Sequence, residues 1–281
     1  MPTLDEKREQ LLMLIRSFES CAVAFSAGVD STVVAKAAQL ALGNSAVAVT
    51  GTSASLASGE LDEAKSLAAC IGVRHVVIAT DEFANASYTQ NAPDRCYHCK
   101  TELYTQLDGI IEQLGVKVVL NGANVDDASD YRPGMKAASE HSVRSPLAEC
   151  GFTKADVRAL AEQWELPVWD KPATPCLSSR VAYGEEVTPE RLRMIDRAEQ
   201  LLRDQGLRDV RVRYHRGDLA RIEVPADEIA KFIPAATRSK LADQLRQLGF
   251  KFVTIDIEGF RSGSLNSLVQ LSANASAASP Q

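Results

Sequence analysis

No stretch of this chain approaches the run of about 18 apolar residues that a membrane-spanning helix needs, so no such helix is expected. Met1 to Gln10 is polar and charged, with no apolar segment behind a basic start. A secretory signal is therefore not expected, and the cytoplasm is the predicted compartment. Aromatic residues are sparse at 6%, and the net charge is −6. RNA surfaces interleave stacking aromatics with basic groups, and phosphate backbones call for surplus positive charge, so the balance favours a small-molecule substrate over a nucleic acid. A second C-x-x-C pair is missing as well, which leaves no Cys₄ zinc site. Without a secretory signal, the six cysteines read as buried, metal-binding or catalytic thiols rather than as a disulfide framework.

What remains is an ordinary globular composition, 45% hydrophobic and 24% charged over 281 residues, enough for one large or two modest domains. Leu4 to Phe18 has helical spacing, and Cys21 to Phe25 is a short continuous apolar run, as for a strand buried on both faces. The alternation then repeats. Ser31 to Leu42, Glu60 to Cys70 and Lys100 to Leu114 read as helices, and Ala46 to Thr50, His75 to Ala79 and Val116 to Leu120 as strands. The expected fold is α/β with a Rossmann-like, mostly parallel sheet. Ligands in such sheets bind beyond the carboxyl ends of strands, which points to Ser26–Ser31, Thr50–Ser55 and Asn121–Asp130.

Prolines 167, 172 and 175 break the text between Leu166 and Val181 into a loop. Thr188 to Arg203 then reads as a capped helix with Pro189 at its first position, followed by strands Val210–Tyr214 and Ala220–Val224, a helix Ala235–Leu248 and a strand Phe252–Ile257. The predicted organisation is a first domain over 1–170, a junction loop over 171–187, a smaller α+β domain over 188–261 and a frayed tail over 262–281.

Ser26-Ala27-Gly28-Val29-Asp30-Ser31 lies between a buried strand and a helix, where backbone N–H groups and the helix N-terminus converge on an anion. Gly28 permits close approach, Ser26 and Ser31 offer hydroxyl donors, and the absence of lysine from the turn rules out a G-x-x-x-x-G-K-[ST] loop. A plain strand-to-helix turn fits these residues too. After another buried strand, Gly122, Asn124, Asp126 and Asp127 form an acidic turn, suited to orienting Mg²⁺ through water or simply to solvation.

Cys96-Tyr97-His98-Cys99 opens a helix, where the dipole favours thiolates. On the residues alone this is a redox pair, a partial zinc or iron–sulfur site, or two incidental cysteines. Cys176, in Pro175-Cys176-Leu177-Ser178-Ser179-Arg180, adds a third thiol among hydroxyls and a guanidinium, whereas Cys21, Cys70 and Cys150 sit in or beside apolar text. In Val210–Tyr214 the two-residue period projects Arg211 and Arg213 side by side, as for a phosphate monoester or an exposed strand face. Ser178, Ser179 and Arg180 are candidates for the same substrate site. Glu199 and Glu223 are candidates for a divalent metal or the substrate, although Glu199, on a helix, is equally a solvated residue.

The Ser26–Ser31 turn resembles the S-G-G-x-D-S pyrophosphate loop of the N-type ATP pyrophosphatases, which cleave ATP between the α- and β-phosphates and leave AMP on the substrate. The resemblance implies an adenine nucleotide α-hydrolase-like fold, with ATP and Mg²⁺ held by Ser26, Gly28, Val29, Asp30, Ser31, Gly122, Asn124 and Asp127. Ala27 stands where that pattern has glycine, and a positive φ there would strain the loop and weaken nucleotide affinity. Together with Cys-Tyr-His-Cys, Asp130-Tyr131-Arg132-Pro133-Gly134, Ser145-Pro146-Leu147 and Pro-Cys-Leu-Ser-Ser-Arg, the loop makes a set similar to the LarE family, the ATP-dependent sulfur transferases of lactate racemase cofactor synthesis. That family's substrate is pyridinium-3,5-biscarboxylic acid mononucleotide, whose carboxylates are adenylated and then converted to thiocarboxylates.

Members with only the cysteine matching Cys176 sacrifice its sulfur. Members with all three, matching Cys96, Cys99 and Cys176, are thought to hold a [4Fe-4S] cluster that binds exogenous sulfide, and this chain follows that pattern. The resemblance further implies that Arg211 and Arg213 hold the substrate phosphate and that the chain assembles as a hexamer. Sacrificial Cys176, a tRNA thiolase with the same loop, and a non-catalytic adenine-nucleotide-binding regulator are the competing readings.

Overall fold

A computed structural model describes residues 2–129, 133–172, 174–207, 209–232 and 234–261. Asp130, Tyr131 and Arg132 of the expected motif, and the expected tail from Ser262, lie outside the described residues. The elements in chain order are α1 Leu4–Arg16, β1 Cys21–Ala24, α2 Val29–Leu42, β2 Ala46–Thr52, α3 Glu60–Ile71, β3 Arg74–Ala79, α4 Ala86–Thr89, α5 Arg95–Leu114, β4 Val118–Leu120, α6 Pro133–Glu140, α7 Pro146–Glu149, α8 Lys154–Gln163, α9 Pro189–Asp204, β5 Arg211–His215, β6 Leu219–Glu223, α10 Ala235–Gln247 and β7 Phe252–Ile255. No helix among the described residues is long and apolar enough to cross a membrane.

The chain divides into two compact units, Met1–Ala84 with Cys96–Thr174, and Asn85–Arg95 with the chain from Pro175 onward. The short segment Asn85–Arg95 thus groups with the C-terminal part although it interrupts the N-terminal one.

The first unit is built on a parallel sheet in the order β3-β2-β1-β4. The chain steps outward from β1 through β2 to β3, then returns to place β4 on the other side of β1. The strand order therefore reverses between β1 and β4, the switch point beside which such sheets bind ligands. Two-residue alternation explains the layering. Cys21, Val23 and Phe25 face a core built with α1, α2 and α8, while Ala22 and Ala24 face a second core with Tyr104, Leu107 and Ala137 from α5 and α6. Capping boxes start α1 (Thr3 with Glu6) and α8 (Thr153 with Asp156), satisfying orphan N–H groups at both helix starts.

The second unit carries a three-stranded sheet in the order β5-β6-β7, antiparallel between β5 and β6 and parallel between β6 and β7. Thr188 caps α9 and Pro189 occupies its first turn, as the sequence predicts. The buried stripe of α9 runs through Leu192, Ile195, Ala198, Glu199 and Leu202, so a carboxylate lies on the helix's apolar face.

Candidate active site

The Ser26–Ser31 turn joins β1 to α2 at the switch point. Ala27 is 2% exposed with φ 56°, in the left-handed region that costs a side-chain-bearing residue about 1–2 kcal/mol. Gly28 is the N-cap of α2 with φ −78° and ψ 160°, a conformation open to any residue. The strain therefore sits at the position where the family pattern carries glycine. Ser31 Oγ lies 3.3 Å from the Ser26 N–H and 3.2 Å from Ser26 Oγ, and donates to the Gly28 carbonyl at 3.1 Å. Thr32 Oγ1 donates to the same carbonyl at 2.8 Å. These bonds shape the turn as a rigid cup at the start of a fourteen-residue helix, where the dipole favours an anion.

The loop after β4 closes on this cup. A Cβ on Gly122 would lie 2.7 Å from the Ser31 nitrogen and 2.9 Å from the Asp30 carbonyl carbon, so only glycine lets the two backbones meet. Asn124 Nδ2 donates to Asp30 Oδ1 at 3.0 Å, and the Asn124 N–H donates to Asp127 Oδ2 at 3.1 Å. Asp126 accepts from the Lys154 N–H at 2.7 Å. Asp127 is thus a loop brace, while Asp30 is half-buried at the helix start. The turn has no lysine of its own, yet two arrive from elsewhere. Lys154 Nζ is 3.6 Å from Asp30 Oδ2, and Lys171 Nζ is 3.5 Å from the Ala27 carbonyl and 2.6 Å from Glu63. Neither is a candidate site residue on sequence grounds, although Lys171 opens the junction loop that carries Cys176.

Ser53 and Ser55, in the second predicted ligand-facing loop, both donate to Glu82 Oε1, at 2.5 and 2.8 Å. Glu82 is 2% exposed, and its Oε2 has no hydrogen-bond partner among the described residues.

Cys96 is exposed and Cys99 half-buried, one turn apart at the start of α5 in the first unit. Cys176 belongs to the second unit, half-buried, as the N-cap of a single 3₁₀ turn Leu177–Arg180. Among the described residues no group of three or more His, Cys, Asp or Glu side chains is assembled as a metal site. The other cysteines differ in character. Burial pushes the Cys21 thiol up to about 12, and burial together with Glu149 raises Cys150, whereas Cys70 is exposed on α3.

Expected on the substrate, Ser178 and Arg180 are instead turned inward. Ser178 is fully buried with Oγ 2.6 Å from Tyr88 Oη, and Arg180, 1% exposed, pairs with Glu199 at 3.0 Å while its Nη1 donates to the Cys176 carbonyl at 2.8 Å. Ser179, half-buried, also donates to the Cys176 carbonyl, from Oγ at 2.7 Å.

Glu199 additionally accepts from Arg203 at 2.7 Å and from the Val212 N–H at 3.1 Å. Glu223, fully buried, accepts from Arg213 at 2.9 Å and from Arg221 at 3.0 Å. Neither carboxylate fits the divalent-metal role read from the sequence, because guanidiniums already occupy their oxygens and would repel a cation. Of the paired arginines, Arg213 is 6% exposed and bound to Glu223, while Arg211 remains half-buried. Burial, then the charges of Arg180, Arg213 and Arg203, pull the Arg211 pKa below the usual arginine range. Arg180 and Arg203 thus pair with Glu199, and Arg213 and Arg221 with Glu223.

Comparison with known proteins agrees with the loop chemistry. Residues 8–128 match the asparagine synthase family. The chain is 46% identical over 263 residues to the uncharacterized protein slr1717 of Synechocystis sp., covering 94% of this chain and 98% of that one. It is 40% identical over 267 residues to the pyridinium-3,5-bisthiocarboxylic acid mononucleotide synthase of Lactiplantibacillus plantarum, covering 95% and 96%. A glutamine-hydrolyzing GMP synthase of Aeropyrum pernix is 28% identical over 200 residues, 65% of this chain and 39% of that enzyme. Near-complete coverage at 40% identity, added to a pyrophosphate-type loop at the switch point, shows that the chain belongs to the LarE family of ATP-dependent sulfur transferases, within the N-type ATP pyrophosphatases.

Proposed function

We propose that the chain is an AMP-forming sulfur transferase acting on the carboxylates of pyridinium-3,5-biscarboxylic acid mononucleotide. The observation that carries this reading is the cup formed by Ser26–Ser31 and closed by Gly122, in a chain 40% identical to a synthase of the bisthiocarboxylic product. A carboxylate resists nucleophiles until one oxygen becomes a leaving group. Its oxygen attacks the α-phosphorus of ATP, the bond to pyrophosphate breaks, and an acyl adenylate forms. Ser26, Ser31 and the N–H groups at the helix start would stabilise the departing pyrophosphate, the Ser31 hydroxyl by turning from the Gly28 carbonyl it meets here, and Asp30 would hold Mg²⁺, which would offset the charge on the leaving group. Sulfur then attacks the acyl carbon and AMP leaves. Arg211 and Arg213 would hold the substrate phosphate, as the family resemblance implies; Arg213 also donates to Glu223.

The donor set fits an iron–sulfur cluster in kind, since Cys96 and Cys99 stand one helical turn apart with exposed or half-buried thiols and Cys176 supplies a third. A cluster on these thiolates would offer an open iron for sulfide. The sacrificial alternative uses Cys176 alone: its thiolate displaces AMP to give a thioester, and β-elimination releases the thiocarboxylate and leaves dehydroalanine. A hexameric, cytoplasmic enzyme is part of the same reading.

The test is anaerobic purification with iron and acid-labile sulfide analysis of the wild type and of Cys96→Ala, Cys99→Ala and Cys176→Ala, followed by assay with ATP, Mg²⁺, substrate and sulfide. About four irons per chain, lost in each variant along with catalytic turnover, supports the cluster. An iron-free protein that loses the mass of H₂S from Cys176 in a single turnover supports sacrifice. ATP binding without release of pyrophosphate removes the enzymatic reading.

A further inference from the structure

The turn that carries Cys176 is held by a segment far away in sequence. Tyr88 Oη meets Ser178 Oγ at 2.6 Å, and both side chains are buried. Asn91, fully buried and left-handed at φ 57°, directs its amide nitrogen at the carbonyls of Ala182 (2.9 Å), Glu185 (3.0 Å) and Val181 (3.3 Å). Its Oδ1 accepts from Arg95 Nη1, which also donates to the Ser178 carbonyl at 2.8 Å. Backbone bonds from Val187 N–H to the Thr89 carbonyl (2.8 Å) and from Gly184 N–H to the Asn91 carbonyl (3.3 Å) complete the seam.

Three buried polar side chains on one eleven-residue segment are not needed to fill space, since apolar residues pack as well and carry no desolvation penalty. What they add is direction. Hydrogen bonds to the Ser178, Val181 and Ala182 carbonyls fix the backbone of the turn just after Cys176, while Ser179 and Arg180 fix the Cys176 carbonyl itself. Arg180 Nη1 also donates to the Pro175 carbonyl, so the Cys176 side chain leaves a backbone bound on both sides. The residue after Arg95 is Cys96, so the clamp is also joined by one peptide bond to the start of the other cysteine pair.

Building on the sulfur-transfer reading, we propose that Asn91 and Arg95 are positioning residues that hold the Cys176 turn in the geometry sulfur transfer requires, with Tyr88 as an auxiliary contact. Neither is assigned contact with ATP or substrate. A displacement of about 1 Å at a reacting group costs up to about 100-fold in rate, so loosening the clamp acts on the transfer step and leaves adenylation intact.

The experiment compares the full-length wild type with Arg95→Ala, Arg95→Lys, Asn91→Asp and the milder Tyr88→Phe. Pyrophosphate release, thiocarboxylate yield, the thermal midpoint, and iodoacetamide labelling of Cys176 against exposed Cys70 are measured by assay and peptide mass spectrometry. The expected result for Arg95→Ala is a 10- to 100-fold drop in the turnover number for thiocarboxylate (about the cost of such misplacement), with KM for ATP and pyrophosphate release unchanged. Cys176 labelling changes while Cys70 labelling does not, and Arg95→Lys restores part of both. Folded Arg95→Ala with unchanged Cys176 labelling and yield overturns the proposal. So does a parallel fall in pyrophosphate release, yield and thermal midpoint, which marks general loosening. Should Arg95→Ala not fold, Tyr88→Phe decides by the same labelling contrast. A wild type that makes no thiocarboxylate overturns the activity reading alone, since labelling of the folded variants still decides whether Asn91 and Arg95 order the turn.

Discussion

Ala27 holds a left-handed backbone that glycine would adopt without strain. Replacing it by glycine relieves about 1–2 kcal/mol of backbone strain and forfeits about 0.8 kcal/mol of methyl burial. Ala27→Gly should therefore raise unfolding stability by up to about 1 kcal/mol in a urea titration, and Ala27→Val, β-branched at the same φ, should lower it by about 2 kcal/mol. A destabilised glycine variant would show that the strain is compensated locally. The cysteines separate as sharply. Burial holds the Cys21 thiol at about 12, so iodoacetamide at pH 8 should leave Cys21 unlabelled in the native chain while exposed Cys70 reacts. The inertness of Cys21 was legible in its apolar text, as was the importance of Ala27, because one glycine-to-alanine departure in a known turn asks directly about φ. The inward turn of Arg180 was not legible, since its partner lies on another element and no local pattern in Leu177–Val181 marks it.

Two close meetings between elements each make a test. The loops after β1 and β4 touch at Gly122, where a Cβ would lie 2.7 Å from the Ser31 nitrogen. Gly122→Ala should push that loop off the N-terminus of α2, costing about 1–3 kcal/mol of stability and weakening ATP binding measured by calorimetry; unaltered binding would mean the loops separate freely. On α9, Glu199 neutralises the buried Arg180 and also accepts from Arg203. Glu199→Gln leaves a buried guanidinium without its counter-charge and should cost about 3–5 kcal/mol in chemical denaturation. A metal ligand at the surface would cost little on the same change. Here the sequence did hold the signal: Leu192, Ile195, Glu199 and Leu202 share one helical stripe, and a carboxylate on an apolar stripe marks a buried partner more than a solvated face. The sheet strands were legible because β1 is buried on both faces and reads as an unbroken apolar run. Helices α6 and α8, by contrast, are not among the expected elements: α6 follows an irregular acidic turn, whereas α8 carried a usable signal in the Thr153–Asp156 capping box and the Val157, Leu160, Ala161 spacing.

The division of the whole molecule follows contacts that no window of sequence contains. Asn85–Arg95 joins the second unit through bonds to residues about 90 positions away, so a boundary sought along the chain could not place it. Acid stability likewise belongs to the molecule as a whole, through one histidine in each unit. Burial, reinforced by Lys65, lowers the pKa of His75, whose Nε2 lies 2.8 Å from Thr50 Oγ1 and whose ring meets Phe25 edge-on. Burial also lowers His215, with Arg221 and Arg213 acting in the same direction and Glu223 and Glu185 opposing; its buried Nε2 has no hydrogen-bond partner among the described residues. In both cases the folded pKa lies below the unfolded value of about 6.5, so the unfolded chain takes up the proton first. Their contribution is complete above that value and is lost as pH falls through the folded pKa. The thermal midpoint should be flat near neutral pH and begin to fall as pH drops below about 6.5, before the lowered carboxylates of Glu149 and Asp218 begin to protonate; on the alkaline side it should fall as well, because the raised Cys21 and Cys150 thiols lose their protons first in the unfolded chain. His75→Gln with His215→Gln should remove the first acid decline and leave the later one, in scanning calorimetry across pH. A double variant that keeps the early decline would place its origin in groups other than these two imidazoles.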